Sequence, residues 1–378
     1  MPNLNFSRRG VADLPLHHGK APYWLLKRME KLAKNIVKII LNEYGYKELF
    51  NRLSDPYWFQ AFGCVLGYDW HSSGVTTVVT GVLKSVIDPR EYGIAICGGK
   101  GKRAKNTLNE IEYVGEILSL SSTKINELKY SSRIIAKIDN AMLQDGFNLY
   151  HHAFLFTEKG DWIVIQQGMD ILNKLARRYH WSKTKNFIDA INRKIISEKL
   201  RKIVLNLSSR KSRENRRITL DLVRENPSKI YSLYKLIFKK TFSLDVFLSK
   251  NLSIKFLEKK FPSYLKMPVN INWNILKKIY EYQPKNYEEF LMIRGVGPST
   301  IRGLALISEL IYGKPVDWKD PVKYSFAFGG KDGVPYPVNR RSMDNAITFL
   351  EDSIRAAEIG YNEKMKALRR LRKLLEMG

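Results

Sequence analysis

A chain of 378 residues, 44% of them hydrophobic, with 20 Tyr, 17 Phe and 7 Trp, is long enough for two or three domains and apolar enough to bury their cores, which excludes wholesale disorder. Its 64 Lys and Arg against 37 Asp and Glu leave a net charge of +27, a surplus that points to a polyanionic partner, nucleic acid first. No apolar run approaches the ~18–20 residues of a membrane span, MPNLNFSRRG lacks the apolar core of a signal peptide, and two cysteines, Cys64 and Cys97, support neither a disulfide framework nor a zinc knuckle, so the expectation is a soluble, nucleoid-associated protein of a reducing cytoplasm with no membrane partner.

Along the chain, Pro22 suits the first turn of a helix whose apolar residues Trp24, Leu25, Met29, Leu32, Ile36 and Ile40 recur at helical spacing until Gly45 ends it. The aromatic and glycine-rich DPYWFQAFGCVLGYDWHSSGVTTVVTGVLKSVI reads as mixed strand, loop and helix, and YGIAICGGKGK as a buried strand running into a glycine–lysine loop. SSRIIAKIDNAMLQDG predicts a helix stopped by Gly146, with Ile134, Ile135, Ile138 and Met142 on one face. FNLYHHAFLFTEKGDWIVIQQG predicts a β-hairpin around EKGD.

These elements make residues 1–183 one α+β domain rich in His and aromatics. Residues 184–240 read as a basic helical connector, in which Arg210, Arg213, Arg216 and Arg217 offer phosphate contacts; a solvated helix face is the alternative. Residues 241–378 read as an all-α domain, with helices in NINWNILKKIYEYQ, NYEEFLMI, PSTIRGLALISELIYG, NRRSMDNAITFLEDSIRAAEIG and NEKMKALRRLRKLLEM. The expected fold class is α+β throughout: a mixed domain with a hairpin sheet, then the connector, then the helical domain.

Chemistry concentrates in two places. In the first domain, Asp69 and His71 lie two apart, and Asp145, His151 and His152 follow in QDGFNLYHH. These could act as a general acid/base set, while Gln144, His152, Gln166 and Gln167 supply the carboxamide and imidazole edges of a base pocket. A structural role as satisfied polar groups is the alternative for each. No HxH or HxxxH spacing appears, so no resident metal is expected. Lys100 and Lys102 of CGGKGK could hold a phosphate, but the stretch is not a Walker sequence.

The second place is FLMIRGVGPSTIRGLALISEL. Gly295 and Gly297 permit a tight turn and close approach, Val296 plugs the corner, and Pro298 opens the next helix. That helix start points free N–H groups and a positive dipole end outward, an anion site, with Ser299, Thr300 and Arg302 beside it. The stretch resembles the helix–hairpin–helix element of DNA-repair proteins, and its grip on phosphate carries no base information. The resemblance to base-excision glycosylases of that class implies double-stranded DNA with damaged or flipped bases as partner, RNA not excluded. It implies Asp317, near Asp320, as the carboxylate that stabilises a cationic sugar, and no cofactor is expected beyond room for a monovalent cation at the hairpin. Ser299 stands where lyase members carry a lysine, which favours a water-using enzyme unless Lys314 or Lys100 serves. GVADLPLHHGKAP, FGCVLGYDWHSSGVTT, LQDGFNLYHH, VIQQGM and ARRYHW resemble, over nearly the full chain, an archaeal and bacterial family catalogued as domain of unknown function number 763.

The functional expectation is a DNA glycosylase. Two alternatives stand beside it: a divalent-metal nuclease using Asp69, His71 and Asp145, and a non-catalytic DNA- or RNA-binding protein.

Overall fold

The computed structural model describes residues 23–68, 74–197, 200–242, 262–268, 271–323, 340–357 and 360–376. The fold is mixed α+β, as expected. Helices α1 (Tyr23–Leu53), α2 (Pro56–Val65) and α3 (Gly74–Val86) come first. Gly45 does break the first helix, with φ 77 and ψ 173, but a second helical segment resumes at once and the break becomes a kink. Asp55 caps α2 by accepting the Tyr57 and Trp58 amides at 2.9 Å, with Pro56 at its first turn.

Short helix α4 (Pro89–Tyr92) leads into strand β1 (Ile94–Lys100), followed by α5 (Lys102–Lys105), α6 (Thr107–Ile117) and α7 (Ser122–Lys137). The helix expected to run to Gly146 ends sooner: a π turn at Ile138–Met142 passes into the two-residue strand β2 (Leu143–Gln144). The predicted hairpin is present as β3 (Asn148–Thr157) and β4 (Trp162–Asp170), with Gly160 at φ 75 in its turn. Strands β5 (Leu175–Ser182) and β6 (Arg193–Ile196) complete an antiparallel sheet ordered β1-β3-β4-β5-β6, and β7 (Leu205–Asn206) pairs with β2. The basic stretch is therefore part strand rather than wholly helical; β6 is an edge strand whose Ile195 and Ile196 are buried.

Strand alternation divides the sheet into two faces. Ala153, Leu155, Ile163 and Ile165 pack against α1–α3, whereas Phe154, Phe156, Trp162 and Val164 pack on the side of α6 and α7. The second core continues without interruption into α8 (Arg213–Arg224), α9 (Pro227–Phe242), α10 (Trp273–Tyr282), α11 (Tyr287–Met292) and α12 (Pro298–Tyr312), through Leu222, Ile279, Phe290 and Leu304. Helices α13 (Arg340–Ala356) and α14 (Tyr361–Glu376) pack with the other core through Leu350, Ile354 and Ala367.

Candidate functional site

A cavity of about 530 Å³ opens where the α5 turn, the start of α6, α7 and the start of β3 meet. The glycine–lysine loop builds one wall. Gly98 has φ +94, and a Cβ there would stand 2.2 Å from the His152 carbonyl, so only glycine lets β1 approach β3 this closely. The loop amides are engaged within the protein: Gly98 N–H donates to Glu110 at 2.7 Å and Gly101 N–H to the Tyr150 carbonyl at 2.8 Å. The loop is thus a braced wall, and its charge comes from side chains. Lys102 and Lys105 on α5 and Arg133 on α7 are exposed and line the cavity. Lys100 is exposed beside them, its ammonium 5.9 Å from the Tyr150 ring.

The interior is neutral and tightly ordered. His152 Nε2 lies 2.8 Å from Ser132 Oγ, and its Nδ1 lies 2.8 Å from Gln166 Oε1. Gln166 Nε2 donates in turn to Asp139 Oδ2 at 2.7 Å. Asp139 also accepts from the Trp181 indole at 2.7 Å and from Arg193 at 2.9 Å. Burial pushes the Asp139 carboxyl up, and the Arg193 guanidinium opposes that shift. A carboxylate that accepts on both oxygens fixes the Gln166 amide with its NH₂ inward, so Oε1 must accept from His152 Nδ1–H. Burial also holds His152 down to about 4, hence neutral, leaving Nε2 as an acceptor for the Ser132 hydroxyl.

A serine hydrogen-bonded to a histidine has the shape of a nucleophile and its base. A general base works best with its pKa near the operating pH. A buried imidazole held near 4, backed by a neutral carboxamide, is poorly matched to that task. The relay is suited to fixing hydrogen-bond directions on the cavity wall.

The sequence candidates fall as follows. His152 and Gln166 line the cavity as a pair, and His151 lines it too. His151 Nε2 is 3.0 Å from Thr80 Oγ1 on α3, its buried Nδ1 has no partner among the described residues, and burial holds the ring near 3. Gln167 donates to the Tyr150 hydroxyl. Gln144 donates to the Ala141 and Pro298 carbonyls, both at 2.9 Å, and accepts from Arg302 at 2.6 Å, which ties β2 to the start of α12. Asp145 is the counter-ion of the fully buried Arg177 at 2.8 Å, and Asp320 binds the same guanidinium at 2.8 Å. Asp317 is half-buried, bridges to Asn206, and turns Oδ1 back to the Lys319 amide at 3.1 Å. Asp69 and His71 lie outside the described residues. Arg210, Arg213 and Arg217 are exposed. Arg216 faces inward, donating to the Leu207 and Ser209 carbonyls and to Asp189 at 2.6 Å. Among the described residues no group of three or more His, Cys, Asp or Glu could hold a metal ion.

The turn between α11 and α12 has Gly295 at φ +101 and buried Val296, with exposed Arg294 and Ser299 flanking it. Gly297 caps α12, and no side chain accepts from the helix's first amides. Lys137, the last residue of α7, donates its ammonium to the Val296 carbonyl. Lys137 stands four residues after Arg133, so the cavity rim and the turn sit one helical turn apart on α7. Burial and Arg133 push the Lys137 ammonium down.

Sequence reading passes over Thr107, Ser132, Arg133, Lys137 and Asp139. The signal present was faint: Arg133 and Lys137 form an i, i+4 cationic stripe opposite the apolar Ile134, Ile135 and Ile138, and Asp139 is an acidic residue inside an apolar run.

Residues 10–338 match the model of a family described as Protein of unknown function (DUF763), and the chain belongs to that family. No curated protein and no solved structure matches the chain.

Proposed function

We propose that this member of the DUF763 family binds nucleic acid, holding the backbone at the α11–α12 turn and receiving an unstacked base in the cavity beside it. The observation that carries the reading is the Lys137–Val296 contact, which sets the start of α12 beside the end of α7, one helical turn from the cavity's Arg133. That spacing, about 6 Å along α7, suits neighbouring phosphates of one strand. A base leaving the stack would enter a cavity of neutral polar edges while its phosphates meet Lys102, Lys105 and Arg133.

Binding takes precedence over cleavage in this reading. The residues that line the cavity include no carboxylate. Asp317 follows the C-terminal end of α12, a helix of 15 residues and roughly 22 Å from its start at the turn. A glycosidic reaction run from Asp317 would need the sugar at that far end.

The test is fluorescence anisotropy with labelled duplexes, some carrying a base opposite an abasic site, over rising salt. Binding is expected at about 50 mM salt and should weaken steeply by about 200 mM as counterions are released. Arg294→Glu combined with Ser299→Glu should weaken it about tenfold or more, both positions being exposed. Absence of binding to every duplex at low salt sinks the reading. Alkali-sensitive sites in a bound duplex, lost in Asp317→Asn, would add glycosidic cleavage to it.

A further inference from the structure

The walls of the cavity carry a hydrogen-bond code. Ser132 Oγ has its hydrogen committed to His152 Nε2, because Asp139 and Gln166 fix His152 with its proton on Nδ1. Thr107 Oγ1, also buried and on the cavity wall, has its hydrogen committed to the Ala104 carbonyl at 2.7 Å. Both hydroxyls therefore turn only lone pairs toward a ligand. A ligand that buries these two oxygens without bringing donors leaves both of them unpaired, which weakens its binding.

We infer that the cavity selects a nucleobase bearing an exocyclic amine, adenine, cytosine or guanine, over thymine or uracil, with the adjoining phosphate held by Lys102, Lys105 and Arg133. An exocyclic amine brings two N–H groups. Thymine and uracil bring one edge donor, N3–H, between two carbonyl oxygens that would face the same lone pairs. The assignment rests on the nucleic-acid reading above and goes beyond it by naming which bases are taken. The cationic rim is indifferent to base identity, so affinity and discrimination have separate sources.

The experiment measures binding of the full chain to duplexes identical except for one central base, dA, dC or dT, placed opposite an abasic site so that it is unpaired. The dA and dC duplexes should bind about tenfold more tightly than the dT duplex. Ser132→Ala and Thr107→Val, each with its fold checked by circular dichroism, should lose that preference while keeping the dT affinity. Equal binding of all three duplexes overturns the base code but leaves nucleic-acid binding standing. A preference that survives both substitutions also overturns it. No binding to any of the three would overturn both readings.

Discussion

At the scale of single residues, two neighbouring histidines have been drawn out of the pH range where histidine ordinarily titrates. Burial holds His152 near 4 and His151 near 3, whereas in the unfolded chain each titrates near ~6.5. Between those values the unfolded chain binds the extra protons. Stability is therefore complete above pH ~6.5, falls as the pH drops toward 4, and falls further toward 3 through His151. His152 contributes on the order of 3 kcal/mol across that window. Denaturant midpoints measured from pH 7 to pH 4 should drop, and His152→Asn should flatten the slope. An unchanged slope would mean that His152 is not held neutral by the fold. Whether either histidine mattered was half legible in the sequence: the pair stood out, but their partners Thr80 and Ser132 lie 71 and 20 residues away.

At the scale of elements, the two β strands around Glu158–Asp161 were readable because apolar alternation and a glycine turn are local signals. The end of α7 was not. Ile138–Met142 continues the apolar pattern of a helix, yet the chain widens into a π turn there. At that turn Asp139 meets Arg193, Trp181 and Gln166, all from the sheet. Partners on other strands decided that ending, which no local pattern encodes. Strand β6 has the same explanation, since pairing with β5 overrides the basic run's helical look. The α11–α12 turn was legible from its glycines, and the structure adds a steric reason at one of them. A Cβ on Gly295 would stand 2.5 Å from Ile275 Cδ1, at a φ that L residues seldom adopt. Gly295→Ala should destabilise the protein by about 1–3 kcal/mol, read as a lowered melting temperature. Gly297→Ala, whose φ of −136 is ordinary and whose nearest neighbour is 4.0 Å away, should be tolerated. Equal effects of the two would contradict this account.

At the scale of the whole molecule, one apolar core runs from the sheet residues Phe154 and Trp181 to the helical residues Leu222, Phe290 and Leu304. Buried charge links the same parts, since Arg177 on β5 is held between Asp145 and Asp320. Breaking such a fully buried pair typically costs ~3–5 kcal/mol. A fragment ending at residue 240 would expose the faces of Leu205 and Leu222 and should not unfold cooperatively on its own. The full chain should show coincident transitions by tryptophan fluorescence and circular dichroism across that core. Separate transitions would mean that the sheet and the helical part are independent.

Composition fixed the large positive charge, and the glycines fixed where the chain can turn sharply, because both are properties of residues and their immediate neighbours. The strand alternation on β3 and β4 was equally local. The cavity was decided only by tertiary structure: its wall joins α5, α6, α7 and β3, and its hydrogen-bond directions descend from Asp139 through Gln166 and His152 to Ser132. A side chain's donor or acceptor role depends on which distant partner takes its hydrogen, and chain folding alone brings those partners within reach.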